Sequence, residues 1–343
     1  MRILGGFGVD KSEKLLNAIS QLYFYEELQL ENSCYFPEEN PRQDLPDLIL
    51  NLGNSMVVVK LAVREDPSRS DTWVNDTCRT ERMVMQEILS RVQAGTLPAF
   101  RNRRGERAEL SKTVTAFPIL VLDNGDREEK YPPLLEKYSP EALIVNCMLL
   151  KDFQRLCGTL TMPMELLHFL YYRACFYGDL ETVTRSFQGK LQKDQPVGEV
   201  DLIYEFLADK YGYYKSNIRK FRLEDFRAFL KSLPDHRVMP EGKTQGDLLA
   251  FFSHLARGEI AAFLERMDML SEEVRRNSGG LLSSLRPKDD RYAIFFVARD
   301  SFPLPVLRQM IYGCDRVSEV LEVVGRRKPD GTVALEFLLN DRF

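Results

Sequence analysis

The chain has few of the side chains on which most enzyme chemistry depends. Across 343 residues it holds only three histidines, His168, His236 and His254, far apart in sequence. A His-based metal or nucleophile site therefore has no support in spacing. Six cysteines (Cys34, Cys78, Cys147, Cys157, Cys175 and Cys314) are scattered without a CxxC pair, which argues against a structural zinc or a disulfide framework. They read as reduced thiols in the core or at the surface. GxSxG, HExxH and kinase signatures are absent, and the glycines of GGFGVDKS fit neither GxxxxGK[ST] nor GxGxxG after a strand.

No uninterrupted apolar run approaches the roughly 18 residues that suggest a membrane helix. The start, MRILGGFGVDKSEK, has a short apolar stretch cut by glycines and lacks the apolar core of a secretory signal. A cytoplasmic protein with no membrane partner is expected. Net charge is −4, so the whole chain is not a basic nucleic-acid binder and any polyanion contact needs a local patch. RNRRGER, with Arg101, Arg103, Arg104 and Arg107, is one candidate; a solvated loop between strands explains it as well. Another is DKYGYYKSNIRKFRLEDF, which interleaves Tyr211, Tyr213 and Tyr214 with Lys215, Arg219 and Lys220. That mixture suits stacking on single-stranded nucleic acid with phosphate contact, and equally an amphipathic helix with a buried aromatic face.

Leu15, Leu16, Ile19, Leu22 and Tyr23 recur at helical spacing behind Asp10 and Ser12, which predicts an amphipathic helix over 11–28. From Leu48 the pattern becomes LIL, then LGNS, then MVVVKLAV, a hairpin signal. Met83, Ile88 and Val92 follow in a helical pattern that Gly95 closes. β-rich runs at Val114–Asp123 and Ala142–Leu150 come next, and Thr161 with Pro163 opens a further helix. The order implies an α/β (α+β) layer, a mixed sheet flanked by helices. Residues 186–201 read as a linker, so the expected division is 1–185 and 186–343, with a boundary near 185. The second part is expected to be mainly helical with a small β element, including a hairpin around Pro329-Asp330-Gly331.

Chemistry enters with PDLILNLGNSMVVVKLAVRED, residues 46–66. Metal-dependent phosphodiester cleavage needs carboxylates to hold the ion and a nearby lysine to steady the water or the developing charge. A hairpin supplies this when an acid begins one strand and an acid-x-Lys lies on the next, because side chains at i and i+2 share a face. Asp47 and Lys60 occupy the outer positions.

Pro46-Asp47, the two apolar strands with Lys60, and the helix that follows resemble the core of the PD-(D/E)xK nuclease superfamily. The further texture of Glu13 in a first helix, Trp73, Gln86, the RNRRG turn, PILVLDN and TMPMELLHFLYYR is similar to a NERD-like bacterial branch, over about residues 8–175. The resemblance implies a restriction-endonuclease-like fold, Asp47 as magnesium ligand, Glu13 as auxiliary acid, Lys60 as catalytic lysine and Gln86 turned toward the site. It further implies DNA as partner, in phage defence or mobile-element biology. The sequence departs from that pattern at Val58, where a carboxylate belongs. Three readings stay open: a dead site kept for binding or assembly with a protein partner; an acid moved in from Asp44, Glu65 or Asp66; or a buried hairpin resembling a nuclease by coincidence. Lys60 reaching a sheet edge, Asp47 closing a turn, Glu13 favouring its helix dipole and Gln86 lying exposed are the corresponding plain explanations.

Overall fold

The computed structural model describes residues 8–38, 44–52, 55–65, 72–108, 115–125, 127, 132, 134–136, 144–178, 222–239, 243–276, 282–287, 292–298, 317 and 319–341. The chain divides into two units, Met1–Leu207 and Ala208–Phe343; the linker expected over 186–201 lies outside the described residues. Among the described residues no helix is long and apolar enough to cross a membrane.

The first unit is built on a seven-stranded mixed sheet, as its alternation of apolar runs and helical patterns implies. Its strands are β1 (Cys34–Pro37), β2 (Leu48–Leu52), β3 (Ser55–Val63), β4 (Phe100–Arg101), β5 (Thr115–Asp123), β6 (Leu134–Glu136) and β7 (Ile144–Leu149), in the order β4-β1-β2-β3-β5-β7-β6. β2 and β3 form the expected antiparallel hairpin. β3, β5 and β7 run parallel to one another, which requires a crossover between each pair. Parallel strands are covered on both faces and so read as unbroken apolar runs. SMVVVKLAV accordingly has every residue but Val63 buried.

The crossover from β3 to β5 contains α2 (Trp73–Ala94), closed by Gly95 at φ 64 as a left-handed cap. Its apolar stripe packs on Ile49, Met56, Val58, Ala62, Leu120 and Leu122. Residues of the opposite parity, such as Val57, Val59, Leu61, Ile119 and Val121, are equally buried. α3 (Leu150–Thr159) and α4 (Pro163–Gly178) pack on β5 and β7 without entering the α2 cluster, which assigns them to the other face.

The first helix, α1 (Gly8–Ile19), is shorter than its pattern predicts. Beyond Ile19 the backbone bonds tighten, with Gln21 N–H donating to Ala18 O and Leu22 N–H to Ile19 O. Leu22, Phe24, Tyr25 and Leu28 stay buried in these turns, whereas Tyr23, counted in the helical pattern, is exposed. α3 went unpredicted because its apolar positions continue directly from β7.

The second unit contains α5 (Leu223–Ser232), α6 (Gln245–Ser253) and α7 (Arg257–Arg276). Thr244 and Asp247 form a capping box at the start of α6. The β content exceeds the small element expected. β8 (Arg237–Met239), β9 (Leu282–Leu285), β10 (Tyr292–Ala298), β11 (Glu319–Arg327) and β12 (Val333–Asp341) form a five-stranded sheet ordered β8-β12-β11-β10-β9. RVM and LSSL are too short to register as strands in sequence. β11 and β12 make the predicted hairpin, its turn held by Asp330 Oδ1, which accepts from Thr332 N–H at 2.9 Å. Phe226, Phe229, Phe252, Phe263 and Phe337 form a chain of edge-to-face contacts. At Gly325 a Cβ would stand 2.8 Å from Val274 Cγ2, so the close approach of α7 to β11 depends on that glycine.

Candidate functional site

The hairpin register sets the site. Leu48 pairs with Val59, and Asp47 N–H donates to Val59 O at 2.9 Å, so the ladder continues far enough to place Asp47 opposite Lys60. Both side chains share parity with residues that face α2: Ile49 on β2, and Met56, Val58 and Ala62 on β3. Lys60 thus occupies a core position on the α2 face. It is 4% exposed and Asp47 3%.

Asp47 Oδ2 lies 3.7 Å from Lys60 Nζ and accepts the Leu61 N–H at 2.8 Å. Lys60 Nζ donates to Leu45 O at 2.6 Å. The Leu61 carbonyl in turn accepts from Lys11 Nζ of α1 at 2.9 Å. The backbone of Leu61 is therefore held at both its N–H and its C=O, and two lysines and a carboxylate gather around it.

A second carboxylate comes from α2. The buried stripe of that helix includes Val74, Cys78, Met85, Ile88 and Val92, and Glu81 falls between Cys78 and Met85 at spacings of three and four. An acid thus stands where the helix presents apolar residues to the sheet. Burial pushes the Glu81 carboxyl above its usual range; Lys60 opposes that shift, Asp47 adds to it, and Lys11 opposes it. Glu81 Oε2 is buried without a hydrogen-bond partner. Asp47, Lys60, Glu81 and Lys11 form one electrostatic cluster, with two charges of each sign.

The predicted residues fall around this cluster in different ways. Val58 is fully buried in the α2-side core, so the position expected to hold an acid holds packing. Of the three acids considered as replacements, Asp44 pairs with Arg91 at 2.9 Å on the surface, Glu65 is exposed, and Asp66 lies outside the described residues. Glu13 is exposed on α1. Gln86 is half-buried on α2, but five residues of helix turn it about 140° from Glu81, so the two do not share a face. Trp73 begins α2 and packs against the same core, with the Arg64 guanidinium 5.7 Å from its ring centroid. Among the described residues no group of three or more His, Cys, Asp or Glu side chains is placed to hold a metal ion; the cluster offers two.

The arginine loop is ordered by Asn102, whose Oδ1 accepts the Arg104 and Glu106 N–H groups. Three of its arginines have carboxylate partners, two of them sharing one. Arg101 Nε and Arg107 Nε lie 2.8 and 3.3 Å from Glu38 Oε1, and Arg103 pairs with Glu31 at 3.5 Å. Lys215 and Arg219 lie outside the described residues.

Family models, curated proteins and solved structures yield no match to this chain. The residues and their geometry must carry the functional reading. Sequence reasoning missed Glu81 and Lys11. For Glu81 a signal existed: it interrupts the apolar spacing of Val74, Cys78, Met85, Ile88 and Val92. For Lys11 there was none, since its role depends on where α1 meets the end of β3.

Proposed function

We propose that Asp47, Lys60 and Glu81 form a divalent-metal-dependent, phosphodiester-hydrolysing centre of the PD-(D/E)xK type that acts on DNA, with Glu81 standing in for the carboxylate absent at Val58. What carries this reading is Glu81: a carboxylate on the core face of α2, electrostatically coupled to both Asp47 and Lys60, with one oxygen buried and unpartnered. An unpartnered buried carboxylate oxygen is costly to keep, and a cation would satisfy it. Two carboxylates with water and substrate phosphate make a donor set that Mg2+ accepts, so Asp47 and Glu81 would hold the ion, whose chemistry there would be to lower the pKa of a water and offset phosphate charge. Lys60 supplies a fixed positive charge against the charge that builds on the phosphate oxygens. Lys11 adds a second cation, so the cluster with one divalent ion carries net positive charge suited to an anionic substrate. A bacterial setting in phage defence or mobile-element biology belongs to the same reading.

The test incubates plasmid and linear DNA with Mg2+ or Mn2+ and compares the wild type with Asp47→Asn, Lys60→Ala and Glu81→Gln. Cutting by the wild type, lost in all three, is expected. Cutting that survives Glu81→Gln removes Glu81 from the centre.

One observation favours a second reading, a non-catalytic interaction or assembly protein. Asp47 and Lys60 are almost wholly enclosed and satisfy each other and the backbone, as a structural ion pair does. Wild-type protein that neither cuts DNA nor takes up Mn2+ in calorimetry supports this alternative.

A further inference from the structure

On the same α2 stripe, one turn before Glu81, Cys78 meets Cys147 of β7 with their sulfurs 3.8 Å apart, both side chains buried and neither oxidised. We propose that Cys78 and Cys147 are an oxidisable dithiol, a modification site at which a peroxide converts two thiols into a disulfide that ties α2 to the sheet. The sulfurs touch already, and a disulfide length of about 2.05 Å requires an approach of about 1.8 Å. Cys78 is 5% exposed as a residue and Cys147 fully buried, which makes Cys78 the first of the two for a small oxidant to reach. The contact also favours its ionisation: a hydrogen bond from Cys147 lowers the Cys78 pKa against the opposing effect of burial. The same contact, with burial, pushes Cys147 up, so the proton the pair shares stays on Cys147 while Cys78 attacks.

The balance closes with a peroxide as the named oxidant. The Cys78 thiolate attacks one peroxide oxygen, the O–O bond breaks, and the leaving hydroxide takes a proton to become water. Cys78, now a sulfenic acid, has given up two electrons. Cys147 attacks that sulfur, the S–S bond forms, the S–O bond breaks, and hydroxide leaves with the Cys147 proton as a second water.

The bond would join positions 69 residues apart in sequence and restrict the unfolded chain. It would also draw in the turn of α2 next to Glu81. The test treats the full chain with hydrogen peroxide and maps peptides without reduction. Expected are a cross-linked peptide pair containing Cys78 and Cys147, an intact mass lower by two hydrogens for that bond, and an upward shift in Tm that dithiothreitol reverses. Cys78→Ser and, as a second variant, Cys147→Ala abolish the cross-link. Accumulation of sulfinic acid at Cys78, or oxidation confined to other cysteines, overturns the proposal. These readouts stand whether or not the protein cleaves DNA; a change in cleavage between oxidised and reduced forms bears only on the coupling to Glu81.

Discussion

Glu81→Gln is expected to make the protein more stable at neutral pH while removing any metal-dependent function. The substitution keeps the shape of the side chain and deletes its charge. Burial holds the carboxyl above its usual range even with Lys60 and Lys11 nearby, so the folded state resists ionisation of Glu81 more than the unfolded chain does. The folded state then binds more protons than the unfolded one between the ordinary value of 4.5 and the raised folded value. Stability consequently falls as pH rises through that window, and the loss is complete above it. The amide leaves a buried polar atom in the same place, so only the extra cost of the charge is recovered, about 1 kcal/mol or less for a side chain that is only partly enclosed. For a unit of this size that corresponds to at most about 2–4 °C in Tm. Calorimetric melting of wild type and variant should give curves that coincide below pH 4.5 and separate toward neutrality, with the variant higher. Added Mg2+ should raise the wild type by about 1.4 kcal/mol at ten times its Kd and leave the variant unmoved. A variant less stable than wild type at neutral pH, or a difference that ignores pH, refutes the assignment of Glu81 as an uncompensated buried acid.

Lys60→Met strands the Asp47 carboxylate in a buried site, which should cost about 3–5 kcal/mol in urea denaturation; the Asp47→Asn/Lys60→Met double variant should cost less than Lys60→Met alone. Gly325→Ala sets a Cβ 2.8 Å from Val274 Cγ2 and should destabilise the second unit by about 1–3 kcal/mol, with partial rescue by Val274→Ala in the same melting assay. Glu38→Ala releases Arg101 and Arg107 from their shared carboxylate; if the loop contacts DNA, affinity in a salt titration should rise and the salt dependence should steepen, by about one unit of log-log slope for each arginine gained.

The hairpin was legible because strong local patterns coincide there: an acid after a proline, two apolar runs, a short Gly-Asn-Ser break, and a lysine at an even position among apolar neighbours. The α2 helix and β5 were legible for the same reason. What escaped was set by chain segments that meet only in three dimensions. Asp44 and Glu65 are as close to the hairpin in sequence as a replacement acid could be, yet one is tied to Arg91 and the other faces solvent. Glu81 lies further along the chain and returns because α2 folds back over β3. In the second unit β10, β11 and β12 declared themselves by apolar runs and a turn, whereas β8 and β9 are strands only because β12 and β10 offer them edges.

The parallel pairing of β3 with β5 gives the cluster a history in time. Asp47 and Lys60 are brought opposite each other by a hairpin of local contacts, the kind that forms early and fast. Ser55, by contrast, must find Thr115, and such distant pairing is slow because the loop must close before any contact repays it. A hairpin formed before that crossover docks would leave the two charges hydrated. Glu81 sits on the covering helix, so enclosure of the acidic and basic groups is expected to follow formation of the hairpin, an order that pulsed hydrogen exchange would read.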